Sequence, residues 1–158
     1  MLKKIDLVKY FSDGIKLKGS EKIGTEHEKF IYNKSDLSLI PFNGDRSISA
    51  VLRKFVEDGW TASVEEDQIV GASKNGASIT LEPGGQFELS GAPLNNLHET
   101  CREINDHLSF TKSIEEELDI GFIGIGFIPL GSLDDMPKVP KKRYQQIMTP
   151  YMRKVGGL

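Results

Sequence analysis

Several features that mark particular protein classes are scarce in this 158-residue sequence. It contains one cysteine, Cys101, which excludes an intrachain disulfide and fits a reducing compartment. No stretch approaches the ~20 apolar residues of a membrane span. Residues 1–11 carry lysines and Asp6 where a secretory signal would have an apolar core. We therefore expect a cytoplasmic protein.

An excess of positive charge is also missing. The formal net charge is -3, with 20 lysines and arginines against 23 acidic residues, so there is no electrostatic case for nucleic-acid binding. The short basic run at 138–143 is interpreted as a helix start with solvated lysines. The hydrophobic fraction of 38% and the length are typical of one globular domain that needs no disulfide or structural metal.

What the sequence does contain is an acidic β-hairpin within residues 78–94. Apolar and polar residues alternate on both sides of the break Pro83–Gly85, which predicts two strands joined by a glycine-containing turn. The apolar rows share one face, and Glu82, Gln86 and Glu88 share the other, with no cation between them. Acidic side chains without a partner suggest a cation supplied from outside. The alternative is a solvent-facing hairpin.

A second acidic pair lies in the predicted strand 23–32. Glu26 and Glu28 fall on one face, two residues apart, and their carboxylates could hold one or two hard cations such as Mg²⁺. His27 and Lys29 fall on the other face. We interpret His27 as a buried or capping imidazole and Lys29 as solvated.

Apolar residues at helical spacing predict helices around these strands. One helix covers residues 48–56, and a shorter one ends at Gly14 with its apolar stripe in the core. A long helix starts at residue 95 or 96 and continues weakly to 118. Its predicted buried face consists of Leu97, Cys101, Ile104 and Leu108, so that the cysteine is a core residue and not a nucleophile.

The remaining segments complete the predicted fold. Residues 60–94 form an antiparallel meander. Residues 120–129 are apolar on both sides, which predicts a fully buried strand; their glycines do not have the order of a dinucleotide-binding loop. A final helix should be kinked or split at Pro150. The predicted fold class is therefore α+β, an antiparallel sheet with helices packed on it.

Two long motifs carry a resemblance to a known family. Residues 24–30 read Gly-Thr-Glu-His-Glu-Lys-Phe, and residues 81–94 read Leu-Glu-Pro-Gly-Gly-Gln-Phe-Glu-Leu-Ser-Gly-Ala-Pro-Leu. The chain resembles the glutamate–cysteine ligases of plants and many proteobacteria, within the glutamine-synthetase-like superfamily, over most of its length and in order. Shorter matches lie at 97–101, 124–127, 140–144 and 147–156.

The resemblance implies a glutamine-synthetase-like carboxylate–amine ligase fold, a sheet funnel whose acidic residues hold Mg²⁺ around ATP and glutamate. It implies that ATP phosphorylates the γ-carboxylate of glutamate. The amine of cysteine then displaces phosphate to give γ-glutamylcysteine, the first step of glutathione biosynthesis. The implied partners are thus small molecules, namely glutamate, cysteine and ATP, together with the rest of the enzyme.

The resemblance also implies roles for particular residues. The family's metal-binding positions match Glu26, Glu28, Glu82 and Glu88, the same acids that the strand pattern groups. Gln86 could bind substrate or phosphate, or have a structural cross-strand role. Another candidate for substrate or ATP binding is Arg143, whose guanidinium offers a bidentate fork for a carboxylate or phosphate; the alternative is an exposed arginine at a helix start.

Members of this family continue well beyond the last residues of this chain. We therefore expect residues 1–158 to be the amino-terminal portion of a single catalytic domain. This portion is an incomplete domain, and its activity on its own stays open. Plant members use disulfides for redox control, which one cysteine cannot reproduce within this chain. Two other functions stay open, a truncated Mg²⁺- or nucleotide-binding module without turnover and a related carboxylate–amine ligase with another acceptor amine.

Overall fold

The structure, a computed structural model, describes residues 1–156 and combines helices with one antiparallel sheet. This confirms the predicted α+β class. Residues 1–156 also contain three short helical turns, a 3₁₀ turn at Pro83–Gly85, another at Leu133–Asp135 and a π-helical turn at Arg143–Met148. The helices and strands are α1 (Lys4–Asp13), β1 (Glu26–Asn33), α2 (Ile48–Glu57), β2 (Thr61–Glu65), β3 (Gln68–Lys74), β4 (Ala77–Leu81), β5 (Phe87–Ser90), α3 (Leu97–Leu118), β6 (Ile120–Ile123) and α4 (Thr149–Val155).

The six strands lie in the order β2-β3-β4-β5-β1-β6, and each neighbouring pair is antiparallel. Strands β2 to β5 form the predicted meander, and β4 and β5 form the predicted hairpin around the 3₁₀ turn. Strand β1 comes from earlier in the chain and pairs with both β5 and β6. Side chains alternate between the two faces of a strand, so this order brings the two acidic segments side by side.

One face of the sheet is covered by helices and forms the core. Helix α2 confirms the predicted span, and its N-terminus is capped by Ser47, whose buried hydroxyl oxygen accepts from Ala50 N at 3.1 Å. Its apolar residues pack on the sheet together with part of α3. The largest fully buried apolar side chains are Phe55, Phe87, Ile40, Ile48, Leu52, Ile79, Leu81, Leu89, Ile114, Ile120 and Val51.

Helix α3 buries a different face from the one predicted. Cys101 is exposed, and Leu97 and Leu108 are 68% and 46% exposed, so the prediction of a cysteine in the core was wrong. The helix turns a mostly polar stripe to the sheet because that part of the sheet offers polar side chains, as described below. The buried residues of this stripe are Thr100, His107, Thr111 and Ile114.

Two other predictions about burial were also wrong. No residue of α1 is buried, and Phe11 in its apolar stripe is 75% exposed. The predicted buried strand 120–129 stops as β6 at Ile123, and the exposed Phe127 lies beyond it. Near Pro150 the π-helical turn passes into α4 with helical backbone at Met148 and Thr149, and the predicted kink or split at Pro150 stays a prediction.

The 3₁₀ turn of the hairpin provides a test of local packing. A Cβ at Gly85 would lie 2.6 Å from both Ile48 Cδ1 and Pro137 Cγ, whereas one at Gly84 would meet the flexible Met136 Sδ at 3.1 Å. Both glycines have φ near +80°, 79° and 78°, so alanine is strained by about 1 kcal/mol at either. We expect Gly85→Ala to cost about 2 kcal/mol more than the matched Gly84→Ala in urea unfolding. Equal losses would contradict this packing.

Candidate metal and substrate site

The acidic residues of β1 and β5 face one another on the side of the sheet opposite the helices. Glu28 is directly opposite Glu88, and Glu26 is directly opposite Ser90. Directly opposed residues in an antiparallel pair have Cβ atoms about 4.5–5.5 Å apart. Thr80 of β4 lies on the other side of Glu88, in register with it. The register therefore brings three of the four predicted acids together, and their use of a metal stays a prediction.

Hydrogen bonds orient these carboxylates. Glu88 Oε1 accepts from Ser90 Oγ at 2.6 Å, and its Oε2 lies 3.4 Å from the donor Thr80 Oγ1. Gln86 Nε2 donates to Glu28 Oε2 at 2.9 Å, so this amide forms the cross-strand contact that was one of its two predicted roles. These polar neighbours fix the orientation of the Glu28 and Glu88 carboxylates.

The opposed glutamates have no ion-pair partner among residues 1–156. Glu88 is 9% exposed, and in the part of the chain that the structure describes neither it nor Glu26 or Glu28 forms an ion pair. A buried carboxylate without a cation is costly, and a second carboxylate directly opposite adds repulsion. A bound cation would offset the burial cost of Glu88 and its repulsion with Glu28.

Glu82 belongs to a neighbouring, mixed-charge group. It follows the end of β4, and its Oε1 lies 3.7 Å from Nη2 of Arg143. The guanidinium also donates to Tyr144 Oη at 2.7 Å and stacks 4.8 Å from the centre of that ring. The tyrosine hydroxyl in turn donates to the carbonyl oxygen of Leu81 at 2.9 Å. Arg143 is exposed, but its contacts hold it beside Glu82 at the end of β4.

Lys141 is the residue of this group that the sequence interpretation missed. It is 8% exposed, and its Nζ donates to Leu81 O at 2.8 Å, so the prediction of a solvated lysine was wrong here. Burial lowers the pKa of Lys141, the Arg143 charge lowers it further, and the charges of Glu82, Glu65 and Glu88 act in the opposite direction. No pattern in a basic run marks which lysine will be buried. Thr80, by contrast, lies on the same strand face as the hairpin acids, so the alternation of residues could have identified it as part of the site.

The carboxylates of this face fit a magnesium ion that keeps several water ligands better than an ion bound by protein side chains alone. Among residues 1–156, no three His, Cys, Asp or Glu side chains are arranged to hold a metal by themselves. Mg²⁺ commonly keeps several waters and binds through one or two carboxylates plus substrate phosphates. The opposed Glu28 and Glu88 supply that number of carboxylates.

A second polar cluster lies on the helix-covered face. Lys29 is 7% exposed, so the prediction that it is solvated was wrong, and its Nζ donates to His107 Nε2 at 2.9 Å. His27 is half-buried beside them. Burial, followed by the charges of Lys29 and His27, lowers the pKa of His107 to about 3, and burial also lowers the pKa of Lys29. This cluster explains why α3 turns a polar stripe to the sheet.

Comparison with known proteins points to one family. A model of the family described as "Glutamate-cysteine ligase family 2 (GCS2)" matches residues 22–158. The chain is 49% identical over 157 residues to "Glutamate--cysteine ligase A, chloroplastic" of Oryza sativa subsp. japonica. It is 48% identical over 158 residues to "Glutamate--cysteine ligase, chloroplastic" of Medicago truncatula, and 47% identical over 154 residues to the protein of that name from Arabidopsis thaliana.

These matches cover nearly the whole chain but a minor part of each relative. The aligned regions take in 99%, 99% and 97% of this chain and 31%, 30% and 29% of the respective relatives. The chain therefore spans about 30% of the length of these curated relatives. The names of the relatives place them in chloroplasts, and the cytoplasmic location of this chain stays a prediction. Within residues 1–156, the structure contains no helix with the length and apolar character needed to cross a membrane.

Proposed function

The chain belongs to glutamate–cysteine ligase family 2, and from this premise we propose that it takes part in joining the γ-carboxylate of glutamate to the amine of cysteine. In this proposal residues 1–158 are the amino-terminal portion of a single catalytic domain with a glutamine-synthetase-like fold. The substrates are ATP, glutamate and cysteine, and the product is γ-glutamylcysteine. The remainder of the enzyme is the main protein partner.

The proposed reaction has two steps. A γ-carboxylate oxygen of glutamate attacks the γ-phosphorus of ATP, which forms γ-glutamyl phosphate and releases ADP. The cysteine amine then attacks the acyl carbon, phosphate leaves, and the nitrogen loses a proton as the amide forms. Phosphoryl transfer depends mainly on positioning and on neutralising the phosphate oxygens, which bound Mg²⁺ provides.

The residues of the acidic face match this chemistry. We assign Glu26, Glu28, Glu82 and Glu88 to Mg²⁺ binding. The opposed Glu28 and Glu88 would hold one ion, and Glu26 and Glu82 would contribute to further Mg²⁺ ions beside it. The observation that carries the assignment is the buried Glu88 carboxylate opposite Glu28, without a cation within ion-pair distance in residues 1–156. When Mg²⁺ is bound, phosphate oxygens and water would supply the ligands that these side chains do not.

Two side chains are assigned to substrates. The exposed guanidinium of Arg143 has the fork geometry that suits a carboxylate or phosphate, and its contact with Tyr144 limits its motion. Gln86 supports Glu28 through its amide and is close enough to the acids to contact a phosphate beside them. The buried Lys141 lies beside them, with its Nζ bonded to Leu81 O and 5.6 Å from the centre of the Tyr144 ring.

One observation favours a second function. The second candidate is a module that binds Mg²⁺ and nucleotide without turnover, and the opposed carboxylates of Glu28 and Glu88 support it because they account for binding alone. A ligase that uses another acceptor amine has the same acidic site, and differs only in the pocket for the amine. Binding and turnover must therefore be measured separately.

The test is isothermal titration of the 158-residue chain with MgATP, combined with a coupled assay for phosphate release in the presence of glutamate and cysteine. Binding together with release that depends on both amino acids supports the ligase. Binding without release identifies the binding module. The absence of binding in a sample that unfolds cooperatively would overturn the assignment of the acidic face.

A further inference from the structure

A cavity of about 410 Å³ opens between α3 and the strands β1 and β6. It lies on the helix-covered side of the sheet, because Lys29, which lines it, alternates with Glu28 along β1. It is therefore separated from the acidic face by the sheet itself. Its lining residues are Lys29, Leu108, Ser109, Thr111, Lys112, Glu115 and Phe122.

The unusual lining residue of this cavity is Lys29, whose ammonium group is buried. The side chain is more than nine-tenths buried, yet no carboxylate of residues 1–156 lies within ion-pair distance of it. An ammonium has three donors, and residues 1–156 supply one acceptor for them, Nε2 of His107. This nitrogen accepts only when the imidazole is neutral, so the histidine cannot balance the charge. A buried, unpaired charge is costly unless an anion joins it.

The other charged groups at the cavity are already paired. Lys112 Nζ lies 2.8 Å from Glu115 Oε2, and the other oxygen of that carboxylate accepts from the backbone N of Phe122 at 2.8 Å. Glu115 is therefore committed to these contacts and does not neutralise Lys29. Together the three charged side chains leave one positive charge at the cavity. The walls beside them include the apolar side chains of Leu108 and Phe122.

We propose that this cavity binds a small monocarboxylate, with its carboxylate against the Lys29 ammonium and its short apolar part against Leu108 and Phe122. The single negative charge of the carboxylate balances the positive charge of Lys29. Its two oxygens can accept hydrogen bonds from the N–H groups that His107 does not use. The volume suits a small organic acid. This site is independent of Mg²⁺ and ATP and of the proposed ligase reaction.

The test titrates the 158-residue chain with sodium butyrate at constant ionic strength, with chloride as the replaced anion, and follows the amide NMR signals of Thr111 and Phe122. We expect saturable shifts in the parent chain and at least tenfold weaker binding in Lys29→Met, which keeps the shape of the side chain without its charge. The exposed Lys16→Met is the matched control and should bind like the parent.

A second variant tests the cavity without altering the buried lysine. Leu108→Asp changes a residue that is 46% exposed and puts a negative charge at the cavity wall, so it should also weaken butyrate binding at least tenfold. Butylamine at the same concentrations should cause no saturable shift. Equal butyrate affinity in Lys29→Met and the parent, or a linear, non-saturating response in the parent, would overturn the proposal.

Discussion

Replacing Glu88 with glutamine is expected to weaken Mg²⁺ binding by roughly 100-fold while the fold is retained, because removal of even an indirect support of a metal site costs about 10–100-fold. Glutamine has the same shape, and it keeps an acceptor for Ser90 Oγ and a donor for Thr80 Oγ1. Without Mg²⁺, the variant should be as stable as the parent or more stable, since it loses a buried negative charge opposite Glu28. Titration calorimetry and urea unfolding measure the two effects.

Two further variants show whether the loss belongs to this site. Glu28→Gln should weaken Mg²⁺ binding in the same direction. Glu116→Gln, at an exposed position of α3, is the matched control and should leave the affinity unchanged. An unchanged titration in both Glu28→Gln and Glu88→Gln would show that the opposed pair is not a metal site.

Acidification is expected to destabilise the chain through His107. Its ordinary pKa of 6.5 applies in the unfolded chain and falls to about 3 in the folded one, so the unfolded state binds the proton first. The stability present above pH 6.5 is therefore lost as the pH falls towards 3. The linkage relation gives a loss of about 4 kcal/mol between pH 7.5 and 3.5, about half of it by pH 5.

The groups that face the His107 ring explain the size of this effect. Lys29 donates to its Nε2 from β1, and His27 lies beside it with ring centres 6.4 Å apart. Phe87 stacks on the ring at 6.1 Å, Phe55 lies at 6.3 Å, and Nδ1 has no partner within residues 1–156. None of these neighbours would stabilise an imidazolium.

Urea unfolding as a function of pH, compared with His107→Gln, isolates this contribution from that of the carboxylates. Glutamine does not titrate and retains an oxygen that can accept from Lys29. Between pH 7.5 and 3.5 the variant should therefore lose about 4 kcal/mol less of its free energy of unfolding than the parent loses. His98→Gln changes an exposed histidine of the same helix and should follow the parent. Parallel pH profiles for the parent and His107→Gln would contradict the prediction.

Most of the sheet and its acidic face follow from local sequence. Strand side chains alternate with a period of two, so the order of apolar and acidic residues in 78–90 predicts which acids share a face whatever the strand pairs with. The same reasoning placed Glu26 and Glu28 together, and the observed register of β1 with β5 agrees with it. The motif resemblance then indicated that these two segments belong to one site, and the family match supports that resemblance.

Helical spacing was less informative. In α2 the apolar stripe is the buried one, because that helix packs on an apolar part of the sheet. In α1 and α3 the predicted apolar stripe is mostly exposed. The surface that a helix packs against decides which of its sides is buried. A pattern within one segment carries no information about the partner of that segment.

Residue types and spacing alone thus determined the α+β class, the hairpin and the shared face of the acids, whereas the resemblance of two motifs indicated the family. Tertiary structure decided the pairing of Glu28 with Glu88, the burial of Lys141 beside Leu81, and the burial of Lys29 against His107. The physical reason is the range of the interactions. Alternation and helix spacing are properties of neighbours along the chain, whereas these three contacts join residues 60, 60 and 78 positions apart.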